Sequence, residues 1–250
     1  MNSLIIAFAM YSRIPVPEID VQKDQGNYVL CFFPLVGIVI GAFELVAYHV
    51  LLLLGIGTVL RGAVLTALPL LISGGVHMNG FMAVVQARNT FGDQAKKTGV
   101  MEDPHPGMNA VLACALYLLV SAGAWIEAGW RSICIMALFF ALERAAGGYC
   151  ALNFRTRRGS GSLEFFTDEK SRERASNIIL AECVGIFIVM ALIWMPGAVL
   201  SYALIFVTMI VYYLTAESEF DGNRTELMGW FLQMAELAQL IALAILSALM

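Results

Sequence analysis

Apolar runs of about 20 residues alternate with shorter polar segments along the whole of this 250-residue chain. Because about 20 apolar residues in a helix cross the hydrocarbon core of a bilayer, each run predicts a transmembrane helix. Seven runs reach or approach this length: 29–54, 59–76, 107–127, 131–152, 176–195, 198–215 and 228–250. Only Pro196-Gly197 separates the fifth run from the sixth, which predicts a tight reversal. The pattern thus predicts an all-α fold: a polytopic membrane protein, a bundle of about seven transmembrane helices in one domain, 1–250.

The distribution of charge predicts how this bundle is oriented. Charged residues make up 14% of the chain, against roughly a quarter in soluble domains. If the spans alternate, twelve of the 15 Lys and Arg residues fall on one side of the membrane. The positive-inside rule then places the N-terminus and the loops 77–106, 153–175 and 216–227 in the cytoplasm, with the chain in the inner (plasma) membrane. The net charge of −4 argues against nucleic acid as a partner and leaves membrane lipid as the surroundings.

The short apolar segment at the N-terminus, residues 1–13, predicts an interfacial helix. No basic residues precede it and no small-residue cleavage site follows it, which disfavours the alternative of a signal peptide. A helix of this kind buries one face at the boundary between headgroups and acyl chains.

The segment 74–109 is a polar island between apolar runs, and it carries two of the three histidines, His77 and His105. In its first half, Asn79, Ala83 and Gln86 are spaced to share one helical face. Their side chains are two amides and a methyl group, so composition alone predicts a weakly polar face rather than a metal site. In its second half, two prolines make EDPHPG an extended turn before the span at 107. Each polar residue alone reads as a loop or interface group, but together on one side of the membrane they indicate a site.

Ionisable residues inside apolar spans are costly and are candidates for function. Arg144 lies near the predicted cytoplasmic end of its span, where it could snorkel or hold a phosphate. Its neighbour Glu143 points about 100° away and need not pair with it. We interpret Arg144 and Glu236 as functional residues. Three others are interpreted as structural: Glu44, His49 and Glu182.

The middle predicted loop, 153–175, combines a Gly-Ser hinge with a run of basic residues. Two hypotheses remain open for it. Its arginines contact anionic lipid headgroups, or they contact a phosphorylated substrate, because Arg pairs readily with phosphate.

Several segments together resemble one known family. GGVHMNGFMAVVQA at 74–87 resembles the motif GGxHLDGxxDxxDA, and MEDPHPGMNAV at 101–111 resembles its continuation. Further likenesses are SRIPVP at 12–17, FPLVGIVIGA at 33–42, FGD at 91–93, KK at 96–97, Arg144 in a Ser-Arg pair whose serine is Glu143 here, and FDGNRTELMGWFLQMAELAQL at 220–240. With these segments spread over nearly its whole length, the chain resembles the cobalamin synthase family, adenosylcobinamide-GDP ribazoletransferase.

This resemblance implies a magnesium-dependent membrane transferase for substituted phosphate groups, with its active face in the cytoplasm. In that reaction a hydroxyl of α-ribazole, or of its 5′-phosphate, attacks the pyrophosphate of the corrinoid nucleotide adenosylcobinamide-GDP, and GMP leaves. The catalytic residues that the resemblance implies are His77, Asp93, Asp103, Arg144, Glu226 and Glu236. The substrate-binding residues that it implies are Arg88, Lys96, Lys97 and His105.

The chain departs from the family pattern at the carboxylates of the metal site. These positions carry Asn79, Ala83 and Gln86, and the Gly-Asp-Thr of the third loop is Thr225-Glu226-Leu227. Since amides bind hard cations far more weakly than carboxylates, we expect weak Mg²⁺ binding, centred on Asp103, and low activity. The alternatives are a non-catalytic homologue that serves corrinoid-assembly enzymes as a partner or scaffold, and a transporter, although we find no internal repeat of the transporter kind. Assembly as a homo-oligomer stays open.

Overall fold

The structure, a computed structural model, describes residues 2–18, 23–103, 105–156 and 169–249, and within these ranges it consists of helices and their connections. The central part of the middle loop, 157–168, and Pro104 of the EDPHPG turn lie outside the described residues. A 310 helix, Lys23–Phe32, precedes the second α-helix. The α-helices are α1 Asn2–Tyr11, α2 Phe33–Leu53, α3 Thr58–Ser73, α4 Val76–Arg88, α5 Gln94–Met101, α6 Met108–Glu127, α7 Trp130–Asn153, α8 Glu169–Phe220 and α9 Thr225–Leu249.

The prediction of an all-α polytopic membrane protein is confirmed. Five helical segments of the described chain are long and apolar enough to cross a bilayer, or six if the bent pair α3–α4 is counted as one span. The five are Tyr28–Leu53, Met108–Glu127, Trp130–Asn153, Ser171–Phe220 and Thr225–Leu249. The total of about seven crossings and the cytoplasmic side of the N-terminus stay predictions.

Helix α8 folds back on itself near Trp194. The backbone of Trp194 is non-helical, with φ −163° and ψ 98°, and Pro196 follows it. Beyond this break the Tyr202 hydroxyl donates to the carbonyl oxygen of Cys183, and the rings of Phe187 and Tyr202 meet with centroids 5.0 Å apart. Fifteen residues of unbroken helix would separate those rings by about 22 Å. The two halves of α8 therefore form a hairpin, and the reversal predicted at Pro196-Gly197 lies beside its break.

The boundary between α3 and α4 differs from the prediction. Residues 59–76 were expected to be a straight span and 77–106 a loop, but α3 ends at Ser73 and α4 leaves it at 96°. Gly74 and Gly75 both have left-handed backbones, with φ of 67° and 73°, which glycine adopts without steric cost. Two such glycines in succession end one helix and turn the chain before the next begins. The expected loop therefore contains two helices, α4 and α5, and α4 packs against α6 and α9.

The N-terminal segment does form a helix, and its location at the membrane interface stays a prediction. Helix α1 buries Ile6, Ala7 and Tyr11 against the rest of the protein. Directly after it, the backbone N–H of Arg13 donates to the carbonyl oxygen of Ile72 over 2.7 Å. This hydrogen bond fastens the end of α1 to the end of α3, beside the turn into α4.

Helix α7 is the centre of the bundle and is buried on nearly every side. Gly37 and Gly41, four residues apart on α2, lie against its backbone at Phe140 and Ala137. A Cβ atom on either glycine would overlap a carbonyl oxygen of α7. Small residues at this spacing let two helices of a membrane protein approach closely, where dispersion between backbones replaces the missing hydrophobic drive. This contact fixes α7, and with it the charged residues that α7 carries.

The substitution Gly37→Ala should lower the free energy of unfolding by about 1–3 kcal/mol, because the added methyl group overpacks the α2–α7 contact. Thermal unfolding in detergent measures this change. The matched control is Gly185→Ala in α8, where a Cβ meets nothing within 4 Å. That control should be neutral or gain up to about 1 kcal/mol from helix propensity. Equal stability of the two variants would contradict the contact.

Candidate active site

A contact between two glycines brings α4 and the start of α9 together. A Cβ atom on Gly80 of α4 would lie 2.6 Å from the carbonyl oxygen of Glu226 and 3.1 Å from Cα of Gly229. In the other direction, a Cβ on Gly229 would lie 2.9 Å from the carbonyl oxygen of His77. The two backbones thus touch without intervening side chains. One consequence is that side chains flanking Gly80 and Glu226 open onto the same space.

That space is a cavity of about 440 Å³ that gathers three separate segments of the chain. Helix α4 contributes Asn79, Ala83 and Gln86, which confirms that these residues share one helical face. The turn between α5 and α6 contributes Glu102, Asp103 and His105, and the start of α9 contributes Thr225 and Glu226. The cavity is completed by Val76, Gly80, Met82, Val100, Met101 and Pro106. Besides Asp103 and His105, three predicted site positions with polar side chains meet here, Asn79, Gln86 and Glu226, and the structure adds Glu102, which was not predicted.

The turn that carries Asp103 stabilises the ionised form of its carboxylate. Oδ1 of Asp103 accepts hydrogen bonds from the backbone N–H of His105 over 2.9 Å and from its ring Nδ1 over 3.0 Å. These bonds from the backbone and the imidazole of His105 lower the pKa of Asp103 below its ordinary value. Asp103 is exposed at the cavity, so its charge faces whatever enters.

A second ion pair joins two walls of the cavity. Nη1 of Arg224, just before α9, lies 2.7 Å from Oε1 of Glu102, just after α5. The Arg224 side chain is only 5% exposed, whereas that of Glu102 is 53% exposed. Sequence reasoning missed this pair, because the two residues are 122 positions apart and neither lies in a helix.

The cavity contains oxygen donors that suit a hard divalent cation. Among the described residues, no three His, Cys, Asp or Glu side chains converge on one metal position. Amide oxygens stand beside the carboxylates instead, and Oε1 of Gln86 is buried without a hydrogen-bond partner in the described chain. Mg²⁺ commonly binds through one or two carboxylates, with water and substrate phosphate supplying its remaining ligands. The residues of the cavity lining that could hold such an ion are Asp103 and Glu226, with the amide oxygens of Asn79 and Gln86.

The predicted phosphate-binding residues Arg88 and Lys97 are held by one carboxylate outside the cavity lining. Nη2 of Arg88 lies 3.0 Å from Oε1 of Glu219, and Nζ of Lys97 lies 3.2 Å from its Oε2. The guanidinium of Arg88 also stacks over Trp230, 5.4 Å from the ring centroid. Glu219, at the end of α8, was not identified from the sequence. Its only sequence signal was its place as an acid in the third polar loop.

Asp93 and Lys96 lie at the start of α5. The Asp93 side chain caps this helix by accepting from the backbone N–H of Lys96 over 2.9 Å. Asp93 lines a shallow hollow with Lys97 and Glu219, beside the cavity rather than in its wall. The catalytic role implied for Asp93 and the binding roles of Arg88, Lys96 and Lys97 stay predictions.

Arg144 and Glu236 belong to a buried ionic cluster in the interior of the bundle. Nη1 of Arg144 donates to the Glu143 carboxylate and to the carbonyl oxygen of Phe140, and it lies 3.9 Å from Oε1 of Glu236. The hydroxyl of Tyr117 donates to Glu236 over 2.8 Å, and the amide of Gln233 donates over 3.0 Å. The side chains of Arg144, Glu143 and Glu236 are at most 4% exposed.

The structure decides two points that the sequence leaves open. Arg144 is buried and does not snorkel to the surface, and Glu143 pairs with it although the two are adjacent in sequence. The physical reason is the cost of a lone charge in apolar surroundings, which forces the guanidinium to bend toward the nearest carboxylate. Sequence reasoning also missed Tyr117 and Gln233, which look like ordinary residues of amphipathic spans.

His77 lies on the face of α4 that turns away from the cavity. It is 3% exposed, and its ring packs against those of Tyr11 and Phe33, with centroids 6.0 and 5.7 Å apart. The guanidinium of Arg144 also packs over the ring of Phe33, 5.8 Å from its centroid. Helix α4 thus separates the cavity from the ionic cluster, with His77 on the cluster side. The catalytic role implied for His77 stays a prediction.

Removing Arg144 should destabilise the protein strongly. Arg144→Met leaves buried carboxylates uncompensated, and we expect a loss of about 3–5 kcal/mol in the free energy of unfolding. Adding Glu143→Gln should recover part of that loss, because it removes the carboxylate left unpaired. Thermal unfolding in detergent measures all three proteins.

Arg155→Gln is the matched control, since Arg155 forms two exposed ion pairs, with Glu217 and Asp221. Exposed pairs contribute about 1 kcal/mol or less. An Arg144→Met variant as stable as this control would refute the structural role of the cluster.

Comparison with known proteins places the chain in a family. The family described as cobalamin-5-phosphate synthase matches residues 3–244. An adenosylcobinamide-GDP ribazoletransferase of Lachnoclostridium phytofermentans is 31% identical over 98% of this chain and 94% of its own length. Proteins of the same name are 24% identical in Clostridium perfringens strain 13 and 25% identical in Clostridioides difficile strain 630, each over 98% of both chains.

No solved structure matches the chain. The match of the family extends over the three segments that build the cavity, α4, the α5–α6 turn and the start of α9. On this evidence the chain belongs to the cobalamin-5-phosphate synthase family.

Proposed function

We propose that this protein is an adenosylcobinamide-GDP ribazoletransferase that joins α-ribazole, or its 5′-phosphate, to adenosylcobinamide-GDP and releases GMP. The curated relatives that cover nearly the whole chain carry that name. The observation that carries the proposal is the cavity, because it unites polar groups from three segments that are far apart in sequence.

The cavity is sized for the reacting end of the substrate rather than for the whole corrinoid. Ligand pockets of roughly 300–1,000 Å³ enclose molecules of drug size, and this one measures about 440 Å³. A corrinoid nucleotide is considerably larger than such molecules. We therefore place the pyrophosphate between α4 and the α5–α6 turn, with the corrin ring outside at the rim.

The reaction exchanges one phosphoester partner for another. The α-ribazole hydroxyl oxygen forms a bond to the phosphorus on the cobinamide side, and the bond from that phosphorus to the bridging oxygen breaks. The bridging oxygen leaves with GMP, and the hydroxyl proton passes to a base. Glu226 and Asp103 are the carboxylates of the cavity that we assign to this region, with Asp103 kept ionised by His105. Positioning and charge stabilisation carry most of the catalysis in reactions of this type.

Magnesium is part of the proposal because a divalent cation neutralises the charge of a pyrophosphate. The residues that would hold it are Asp103 and Glu226, with the amide oxygens of Asn79 and Gln86. The ion pair of Arg224 with Glu102 joins the start of α9 to the end of α5 beside this site. The positive-inside distribution supports a cytoplasmic active face in the plasma membrane.

Restoring the missing carboxylates should raise activity. The triple variant Asn79→Asp, Ala83→Asp, Gln86→Asp should release GMP at least about tenfold faster than the native chain at limiting Mg²⁺, since carboxylates bind hard cations far better than amides. The assay uses membranes with adenosylcobinamide-GDP and α-ribazole and follows GMP by chromatography.

The matched control is Asn89→Asp, which adds one acid at the exposed C-cap of α4 rather than on its cavity face. Asn89→Asp should leave the rate and its Mg²⁺ dependence unchanged. Equal rates for the native chain and the triple variant would refute the role assigned to the three positions. No GMP release from either protein would favour the non-catalytic partner or scaffold.

Neutralising the carboxylates that remain should abolish what activity the native chain has. Asp103→Asn and Glu226→Gln each remove one charge from the cavity at nearly constant volume, and each should lower kcat by about 10²-fold or more. Glu217→Gln is the control, since Glu217 is half-buried outside the cavity and lies 3.4 Å from Arg155. A kcat for either cavity variant within twofold of this control would contradict the assignment.

A further inference from the structure

A second hollow in the protein is a groove between α3 and α6, separate from the active-site cavity. It encloses about 650 Å³, and small or aliphatic side chains line most of it. Its walls include Ala63, Ala67 and Leu71 of α3 and Leu118, Leu119 and Ala122 of α6. The Thr66 hydroxyl donates to the carbonyl oxygen of Gly62 over 2.9 Å, so it offers no free donor to the groove. The groove is therefore suited to a hydrocarbon.

The groove has one closed end and one charged end. At the closed end, a Cβ on Gly62 would lie 2.9 Å from the carbonyl oxygen of Ala122, so α3 and α6 are in contact there. At the other end, the lining consists of Gly74, Gly75 and the side chain of Arg13. From Gly62 to Gly74 the helix rises about 18 Å, which is close to half of the roughly 30 Å hydrocarbon core. The groove thus has the depth of one leaflet.

Arg13 is held at its end of the groove by two contacts. Its backbone N–H donates to the carbonyl oxygen of Ile72 over 2.7 Å. Its side chain lies directly on Gly74, where a Cβ would come within 2.7 Å of Nε and 2.8 Å of Cγ. No described Asp or Glu lies within ion-pair distance of its guanidinium. A guanidinium packed on Gly74 at the mouth of an apolar groove matches a phosphodiester above an acyl chain.

We propose that the α3–α6 groove binds one anionic glycerophospholipid, with an acyl chain between the helices and the headgroup phosphate on Arg13. Leu71 and Leu119, each 70% exposed, flank the groove on the side where lipid tails would surround the bundle. Basic positions between transmembrane helices on the cytoplasmic side recognise anionic headgroups in this manner. The site lies across the Gly74-Gly75 turn from the active-site cavity, whose lining begins at Val76. A lipid bound here would brace the turn that sets the angle of α4.

Native mass spectrometry of the full chain, equilibrated with equal amounts of phosphatidylglycerol and phosphatidylcholine, tests the proposal. The first bound lipid should be phosphatidylglycerol by about fivefold, the preference expected from one guanidinium near a headgroup. Arg13→Gln should bring that ratio close to one. Ala67→Phe, at an exposed position in the groove wall, should fill the groove and reduce binding of both lipids.

Arg131→Gln is the matched control, because Arg131 is exposed and lines no described groove. It should keep the fivefold preference. A phosphatidylglycerol carrying a photoreactive acyl chain gives the location, and the native chain should be labelled at 70–71 and 118–119. An Arg13→Gln variant that keeps the native ratio, a loss of equal size in Arg131→Gln, or labelling elsewhere would each overturn the proposal. If Arg13 served only to hold the end of α3, Arg13→Gln would lower the stability of the protein equally in both lipids. The ratio of bound phosphatidylglycerol to phosphatidylcholine would then stay unchanged.

Discussion

The contact of Gly80 with Gly229 is the constraint on which the candidate active-site cavity depends. A residue larger than glycine at either position would push α4 away from α9, because a Cβ atom there would lie only 2.6–2.9 Å from the backbone of the other helix. Asn79, Ala83 and Gln86 face Thr225 and Glu226 only while these backbones touch. In a bilayer, where lipid tails are as apolar as the helices, such close backbone packing is what holds helices together. The close approach of α4 and α9 that forms the cavity therefore requires glycine at both positions.

Behind this contact lies the buried ionic cluster, and helix α4 lies between the cluster and the cavity. Helix α4 presents Asn79 and Gln86 to the cavity and His77 to the interior, where Arg144 lies near the same ring of Phe33. The cluster contains two carboxylates for one guanidinium, and it is sealed from water. Such groups are costly to bury and costly to separate once buried. Their effect is to fix the packing of α7 against α9, the helix that α4 contacts through Gly80 and Gly229.

The sequence predicted those features that depend on local periodicity. The common face of Asn79, Ala83 and Gln86 follows from helical spacing, and the hairpin of α8 follows from the rigid ring of Pro196 beside a glycine. It did not predict that α4 would be a buried helix, because the segment 74–109 is polar and the turn at Gly74-Gly75 depends on tertiary packing. Nor did it predict that Glu219 would bind both Arg88 and Lys97, or that Arg144 would bend to Glu143. Ion pairs between distant segments are set by the final packing, and no periodicity encodes them.

Where the motif that this chain resembles has three carboxylates, the chain has two amides and a methyl group, and this difference concerns more than the affinity for a cation. An amide can donate as well as accept, so Asn79 and Gln86 can meet phosphate oxygens directly, whereas carboxylates there require a cation in between. The remaining acids are also partly compensated, since Glu102 pairs with Arg224 and Asp103 accepts two bonds from His105. With neutral groups at these positions, the cavity is less repulsive toward a pyrophosphate than one lined by carboxylates, and it offers fewer ligands for a cation. In the proposed reaction, binding of the pyrophosphate and its activation by a cation would therefore depend on different groups of the cavity.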